Sequence, residues 1–456
     1  MSCITNLLHL KCAYNIKDYQ ISMASTDACY RHGSPRTESP ILEIAIEVDE
    51  YISSLISPAL AAGLKSNSFR ILPCKPHSLP TNGRTLQILP YEQIDFSRVL
   101  HNPKTSLANA YVIRKALIRK HHLWQTISTW WTKHPDDTAL KGHIPLTVTF
   151  ELDYAEFLDE ALLECWELTD SFAKQDKEWW ILKPSMSDQG QGIRLFNSEA
   201  GLREIFEEWE EGESEEEEVD EERSTSLAMN DARKDGAKTM TSQLRHFIAQ
   251  RYVEKPLLFT QYGDRKFHIR SYVLAVGALK VYLYKDMLAL FARQPYSPDP
   301  YLQDAKSIPE VHLTNTCLQS DKPKDNTVIR FWDLPAVGPL PHHSWKDHAV
   351  RQIEAATSAL FEAAAREQMV HFQALPNAFE VFGVDWLVDE TGNVWLLEVN
   401  CFPDFKQSGN ALKGLVQGFW TEVIRIAVGG FFGIAAEVDD EESHMVNVLD
   451  IDLGRR

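Results

Sequence analysis

Apolar positions in this chain repeat with two periods, and the change of period divides it. Residues 1–40 are polar and mixed, and little order is expected there. From Ile41 to Val48 the pattern reads as a strand, and from Tyr51 to Ala62 as a helix. Pro73, Pro76, Pro80 and Pro90 then keep the elements short. Over 107–133, Leu107, Tyr111, Ile113, Leu117, Ile118 and Trp124 recur at helical spacing. One long helix is expected, with Arg114, Lys115, Arg119, Lys120 and His121 on its other face. A connector and a helix follow over 140–172, broken at Pro145.

From Trp179 the strand period takes over. Trp179 to Lys183 is an apolar strand, followed by the loop Ser185 to Gly192 and a second strand, Ile193 to Phe196. Phe247 to Val253 reads as a strand leading into a linker. Residues 264–274 alternate in polarity, which puts Lys266, His268 and Arg270 on one face. Two short strands come next, Leu279 to Tyr284 and Ala289 to Ala292, with Arg293 at the end. The last strand pair is Phe379 to Asp389 and Val394 to Asn400, joined by a turn over 390–393. Leu412 to Ala436 is apolar but carries Lys413, Glu422 and Arg425, so it reads as a packed helix and not a membrane span.

Composition narrows the picture. A chain of 456 residues is long enough for two or three packed domains. Its net charge of -19 argues against general nucleic-acid binding. Much of that charge is local: residues 207–222 hold twelve acids and no base. This run and the polar stretch to Thr241 read as a disordered insert, because like charges repel and little is there to bury. Seven cysteines without paired spacing suit a reducing compartment and give no zinc signature. No targeting segment is expected: the apolar patch Ile4 to Leu10 has no small-residue cleavage site after it, and Met1 and Met23 both fit as the start.

Three features carry chemistry. Asp385, Glu398 and Asn400 interrupt the apolar final strand pair. Glu398 and Asn400 are two apart and face one side of their strand, and Asp385 can face them from the partner. Two carboxylates and an amide make a hard oxygen site of the kind Mg²⁺ uses beside nucleotide phosphates. The Gly-bearing loop 185–192 suits a cover over phosphates, although taken alone it also fits a plain hairpin. Lys266, His268 and Arg270 on one strand face would repel each other unless an anion lies across them.

The phrases ILKPS…GQGI, QRYVEKPLL, RKFHIRSYVL, HLTN and FEVFGVDWLVDE…VWLLEVN, in this order, resemble the ATP-grasp fold. More closely, over about residues 100–430, they resemble the tubulin–tyrosine ligase family. The resemblance implies an α+β ATP-grasp fold, two α+β subdomains sandwiching ATP, behind an N-terminal α/β substrate-side domain. The expected bounds are 41–175 for that domain, 176–436 for the ligase domain with the insert at 207–241, and 437–456 for a C-terminal tail.

The resemblance also implies roles. Lys183, Gly190, Gln191 and Gly192 would hold phosphates, with Ile193 beside them. Gln250, Tyr252 and Val253 would line the adenine pocket, and Lys266 and His268 would reach the nucleotide. Arg270 and Arg293 would steady the γ-phosphate and the substrate carboxylate, with Thr314 and Asn315 near the transferred group. Asp385, Glu398 and Asn400 would hold Mg²⁺. Two positions depart from many relatives: His268 stands where an Asp is common, and Gln189 where a base is common.

The activity implied is ATP-dependent amide formation through an acyl phosphate. The expected acceptor is the acidic tail of α-tubulin, and the expected amine is free tyrosine. A cytoplasmic monomer without nucleic-acid or membrane partners is expected. The alternatives are a ligase adding glutamate or another amino acid to a different acidic protein, a weakly active scaffold in a protein assembly, and an ATP-grasp kinase.

Overall fold

The computed structural model describes residues 41–48, 50–72, 79–80, 82–187, 190–210, 246–298, 308–314, 327–336, 344–408, 412–437 and 443–454. Gln189, Asn315 and the insert from 211 to 245 lie outside the described residues.

The N-terminal part is a parallel sheet. β1 (Leu42–Ile46) lies between β2 (Phe69–Ile71) and β3 (Arg84–Ile88), and β4 (Ser106–Ala108) pairs with β3. Parallel neighbours need a crossover, and the helix Glu50–Gly63 supplies the first. Its buried Ile52, Leu55, Ile56, Ala59 and Leu60 form its inner stripe.

The long helix expected over 107–133 is broken. Leu107 and Ala108 belong to β4, and two separate helices follow, Lys115–Ile118 and Lys120–Lys133. Arg119 divides them with an extended backbone, ψ 121°. The basic residues therefore sit at the junction of two helices and not along one face.

A second sheet is antiparallel, in the order β5 (Thr147–Glu151), β8 (His246–Arg251), β6 (Trp180–Pro184), β7 (Arg194–Phe196). Alternation sorts its side chains. Trp180, Leu182, Phe247 and Ala249 enter one core with the helices Leu158–Leu162 and Trp166–Ala173. Ile181, Lys183 and Gln250 are left for the other face. Residues 207–210, expected in the disordered insert, instead continue a helix that starts at 199.

The third sheet is built on β9 (Phe267–Val276). β10 (Lys280–Tyr284) and β11 (Leu288–Phe291) share one edge of β9, and β12 (Val328–Arg330) extends β11. β13 (Phe379–Val388) takes the other edge and pairs with β14 (Val394–Cys401). β15 (Met445–Asp450) pairs with β10. The residues expected as a C-terminal tail thus supply a strand of the main sheet.

Each face of this sheet has its own core. Phe267, Ile269, Val273 and Ala275 meet the helix Trp345–Glu367, whose alanines allow close approach. Tyr272 and Leu274 meet the helices Glu50–Gly63 and Lys413–Val423. The helix expected over 412–436 is indeed packed, and no helix among the described residues is long and apolar enough to cross a membrane. His268 and Arg270 share the parity of Tyr272 and Leu274, so they lie on that second face.

Candidate active site

Strand register builds the centre of the site. Arg270 on β9 pairs with Asp385 on β13, and Asp385 pairs with Glu398 on β14. Three polar side chains therefore stand in one row across three strands. Arg270 donates from Nε to Asp385 Oδ1 at 2.5 Å and from Nη2 to Oδ2 at 2.9 Å, a bidentate pair. Burial alone would raise the Asp385 carboxyl, but Arg270 holds it below the usual range. Burial likewise works against the Arg270 charge, and Asp385 holds it firmly protonated. Gly383 makes the geometry possible. A Cβ there would lie 2.9 Å from Pro403 and 3.2 Å from Arg270 Cδ.

Asn400 donates from Nδ2 to Asp385 Oδ2 and Glu398 Oε1, both at 3.3 Å. Two carboxylates and an amide within reach of one point suit a hard cation. A cation there would take the amide oxygen, which a half-turn of the Asn400 amide brings to the same place. Among the described residues, no group of three or more His, Cys, Asp or Glu could hold a metal. The donor set here relies on the amide as its third member.

Two cavities meet at this row. The smaller, about 60 Å³, is a slot between the second and third sheets. Its floor and walls include Lys183, Ile193, Gln250, Tyr252, Val253 and Lys266. The larger is a cleft of about 850 Å³, reached by Arg270 and Asn400 and walled by Arg114, Lys115 and Arg119 from the N-terminal part. His268, Asp385 and Glu398 line both.

The slot holds two buried lysines. Lys183 Nζ donates to Gln250 Oε1 at 2.9 Å, and Gln250 in turn donates to Thr147 Oγ1 at 3.0 Å. Burial pushes Lys183 down to about 8, against the pull of Glu398. Lys266 Nζ donates to Tyr252 Oη at 2.9 Å and lies 4.2 Å from the centre of that ring. Burial, then the charge of Lys183, push it down to about 7. His268 Nδ1 is 2.5 Å from Thr314 Oγ1, and burial pushes this imidazole down to about 4.

The loop after β6 is tied at its base to the helix Lys120–Lys133. Ser185 Oγ accepts from the His121 backbone N–H at 3.0 Å, and Lys120 Nζ donates to Ser187 O at 2.8 Å. Gly190 and Gly192 have φ of 76° and 69°, where a side chain is disfavoured. Gly190, Gln191 and Gly192 do not line either cavity, while Ile193 lines the slot.

Most expected site residues converge. Arg293 does not: it lines neither cavity, and its Nη1 pairs with Glu310 at 3.1 Å. It follows β11 by two residues, and the residue of β11 that reaches the cleft is Leu290, opposite His268. Asn315 lies outside the described residues. Sequence reasoning missed His312 and Leu313 in the slot, and Tyr91, His371 and Phe402 in the cleft. His312 was legible as the neighbour of Thr314 in the HLTN phrase. The cleft residues carry no motif.

Comparison with known proteins points to one family. The Tubulin-tyrosine ligase family matches residues 99–432. A probable tubulin–tyrosine ligase of Schizosaccharomyces pombe is 44% identical over 353 residues, covering 75% of this chain and 82% of that protein. The probable tubulin–tyrosine ligase PBY1 of Saccharomyces cerevisiae is 43% identical over 368 residues, covering 79% of this chain and 48% of that protein. Among solved structures, the C-terminal domain of K. lactis Pby1 is similar. It is described as an ATP-grasp enzyme interacting with the mRNA decapping enzyme Dcp2. The TM-score is 0.65 at 34% identity, covering 90% of this chain and 99% of that one.

Proposed function

The chain belongs to the tubulin–tyrosine ligase family of ATP-grasp enzymes, and from that premise we propose that it joins an amino acid to an acidic protein segment at the expense of ATP. The observation that carries this reading is the meeting of slot and cleft at His268, Asp385 and Glu398. A nucleotide in the slot would present its terminal phosphate where a carboxylate in the cleft can reach it. A carboxylate oxygen attacks the γ-phosphorus, the bond to ADP breaks, and an acyl phosphate forms. An amine then attacks the carbonyl carbon, phosphate leaves, and the amine's proton is lost to solvent or phosphate.

Positioning and charge do the work in such a site. Lys183 and Lys266 meet the nucleotide, and Arg270 orients Asp385. Mg²⁺, held by Asp385, Glu398 and Asn400, would neutralise charge on the transferred group. The slot, at about 60 Å³, is far below the roughly 300 Å³ of ordinary small-molecule sites, so its walls would have to part for a nucleotide to enter. The basic wall of Arg114, Lys115 and Arg119 suits an acidic acceptor, for which the tail of α-tubulin is our first choice and tyrosine the first amine. We place the reaction in the cytoplasm.

The test is incubation with ATP, Mg²⁺, labelled tyrosine or glutamate and detyrosinated tubulin, followed by peptide mass. A mass increase of one residue on the tail, with ADP formed, supports the proposal. A second reading draws on the Dcp2-binding neighbour: a partner in a decapping assembly, with slow ligase activity. Stable association with a decapping enzyme, without any mass shift on tubulin, would favour it.

A further inference from the structure

Four partly buried imidazoles form a column outside the slot. His121 and His122 lie in the first turn of the helix Lys120–Lys133, with ring centres 3.9 Å apart. His246, the first residue of β8, stacks on His121 at 4.6 Å, with 14° between the planes. His371, beyond the helix Trp345–Glu367, stacks on His122 at 4.0 Å, with 25° between the planes, and also lines the cleft. Rings that meet face to face do not aim their nitrogens at one point, and among the described residues no group of three or more His, Cys, Asp or Glu could hold a metal. Two backbone amides cross the same seam. The His121 N–H donates to Ser185 Oγ at 3.0 Å, and the Ala116 N–H donates to the His371 carbonyl at 2.9 Å. The column therefore joins the second sheet, the N-terminal helices and the segment after Trp345–Glu367.

Such a column holds together only while it is neutral, because like charges about 4 Å apart in partly buried surroundings repel strongly. Burial, then the charges of His122, His246, Arg119 and His371, push His121 down to about 4. Burial also pushes His122 down. A hydrogen bond to Gln125 works against that push, and His371, Lys115 and His246 add to it. Glu151 of β5 is the acid set against the column, 3.1 Å from His246 Nδ1 at its exposed end. Lys120, beside His121, is engaged by the Ser187 carbonyl at 2.8 Å. Neutrality also makes the bond to the loop after β6. Ser185 Oγ accepts the His121 backbone N–H, and its own hydrogen goes to His121 Nδ1 at 2.5 Å. A proton on that nitrogen takes the serine's acceptor away.

We propose that the four histidines are a pH-operated clasp. Near neutrality they hold the second sheet and the loop after β6 against the N-terminal helices, and mild acid opens this seam while the rest of the fold stays closed. The sign follows from linkage. In the closed seam His121 titrates well below the ordinary imidazole value of about 6.5. The open seam therefore binds more protons between about 4 and 6.5, and the closed form loses ground as pH falls through that window. The slot lies between the second and third sheets, so the clasp sets how freely its walls part. Four rings in contact sharpen the response, since each proton gained strains the neighbouring stack.

Hydrogen exchange of the full chain, resolved to single amides and corrected for the intrinsic effect of pH, reads the seam without any nucleotide. The His121 and Ala116 amides report the seam, and the amides of β9 report the whole fold. From pH 7.5 to 5.5, protection should fall about tenfold at both reporters and less than about twofold in β9. His122→Phe keeps a flat ring in the column and removes its charge, so the same acid step should cost the reporters less than about threefold. Constant protection at the reporters of wild type would overturn the proposal. An equal loss in β9 would overturn it too, since that marks acid unfolding of the whole chain. So would a His122→Phe response as large as that of wild type. If His122→Phe melts early at pH 7.5, His246→Phe makes the same test from the other end of the column, judged by the same outcomes.

Discussion

The slot and the cleft solve opposite problems with similar residues. In the cleft two of the cations already have partners. Arg270 is tied to Asp385 by two hydrogen bonds. Arg114 has its Nε 2.8 Å from Glu380 Oε1 and stacks 3.8 Å from the centre of the Tyr91 ring. In the slot two buried lysines hydrogen-bond only neutral groups, with the carboxylates of Glu398 and Asp385 near Lys183, and among the described residues the Nε2 of His312 has no hydrogen-bond partner. A region whose charges are internally matched holds its shape without a ligand. A region with unmatched cations is completed by an anion. The difference teaches that the slot is where binding energy changes the protein, while the cleft supplies a fixed frame.

Removing a matched charge should have the largest effect. Arg270→Ala leaves Asp385 buried without its cation, and about 3–5 kcal/mol of stability should go with it. Urea unfolding measures this. A loss under about 1 kcal/mol would mean that the row across β9, β13 and β14 does not brace the sheet.

Glu398→Gln should leave the unfolding midpoint near wild type. ADP formation with an acceptor should fall by about a hundredfold or more, since a neutral amide is a poor cation ligand. Near-normal turnover would remove the metal role from this residue.

The unmatched lysines predict a pH effect of smaller size. Lys266 and Lys183 lose their protons near 7 and 8 in the empty slot. Bound phosphate favours the charged forms, so ATP binding takes up protons across this range. Affinity should fall as pH rises from 6.5 to 9, by at most about tenfold per pH unit for each lysine. Calorimetry in buffers of different ionisation enthalpy should register the uptake, and buffer-independent heats would contradict it. Stability without nucleotide carries the matching sign. Both folded-state values lie below the unfolded lysine value, so the unfolded chain binds more protons above pH 7. These two groups therefore destabilise most below pH 7, and that cost shrinks as pH rises to about 10.5.

The smallest effect sharpens the same contrast. Arg293→Ala should change turnover by less than about threefold and stability by less than about 1 kcal/mol, because it pairs with the partly exposed Glu310 outside both cavities. A large kinetic defect would return Arg293 to the site.

Much of the slot was legible in the sequence because strand alternation is local. Lys266, His268 and Arg270 needed only a period of two to share a face, and Glu398 and Asn400 likewise. The helix expected over 107–133 failed for a reason that is not local. Leu107 and Ala108 answer to β3, a strand some twenty residues earlier, and that pairing overrides helical spacing. The structure sets Arg293 apart from both cavities for a similar reason. Its place after β11 was read correctly, but only the register of β11 on β9 tells that Leu290 faces the cleft. The residues after 437 looked like a tail because six residues of alternating polarity cannot announce their partner. β10 claims them as β15.

The row of Arg270, Asp385 and Glu398 also has a history within each molecule as it matures. The arginine and the aspartate lie 115 positions apart. Loop closure over that distance precedes any reward from the pair, so contacts of this kind form late and slowly. On the ribosome, β9 emerges long before β13 exists to meet it. The chemistry of the site is therefore a certificate of completed folding: a nascent or cut chain ending before β13 can hold neither the ion pair nor the carboxylate that faces it.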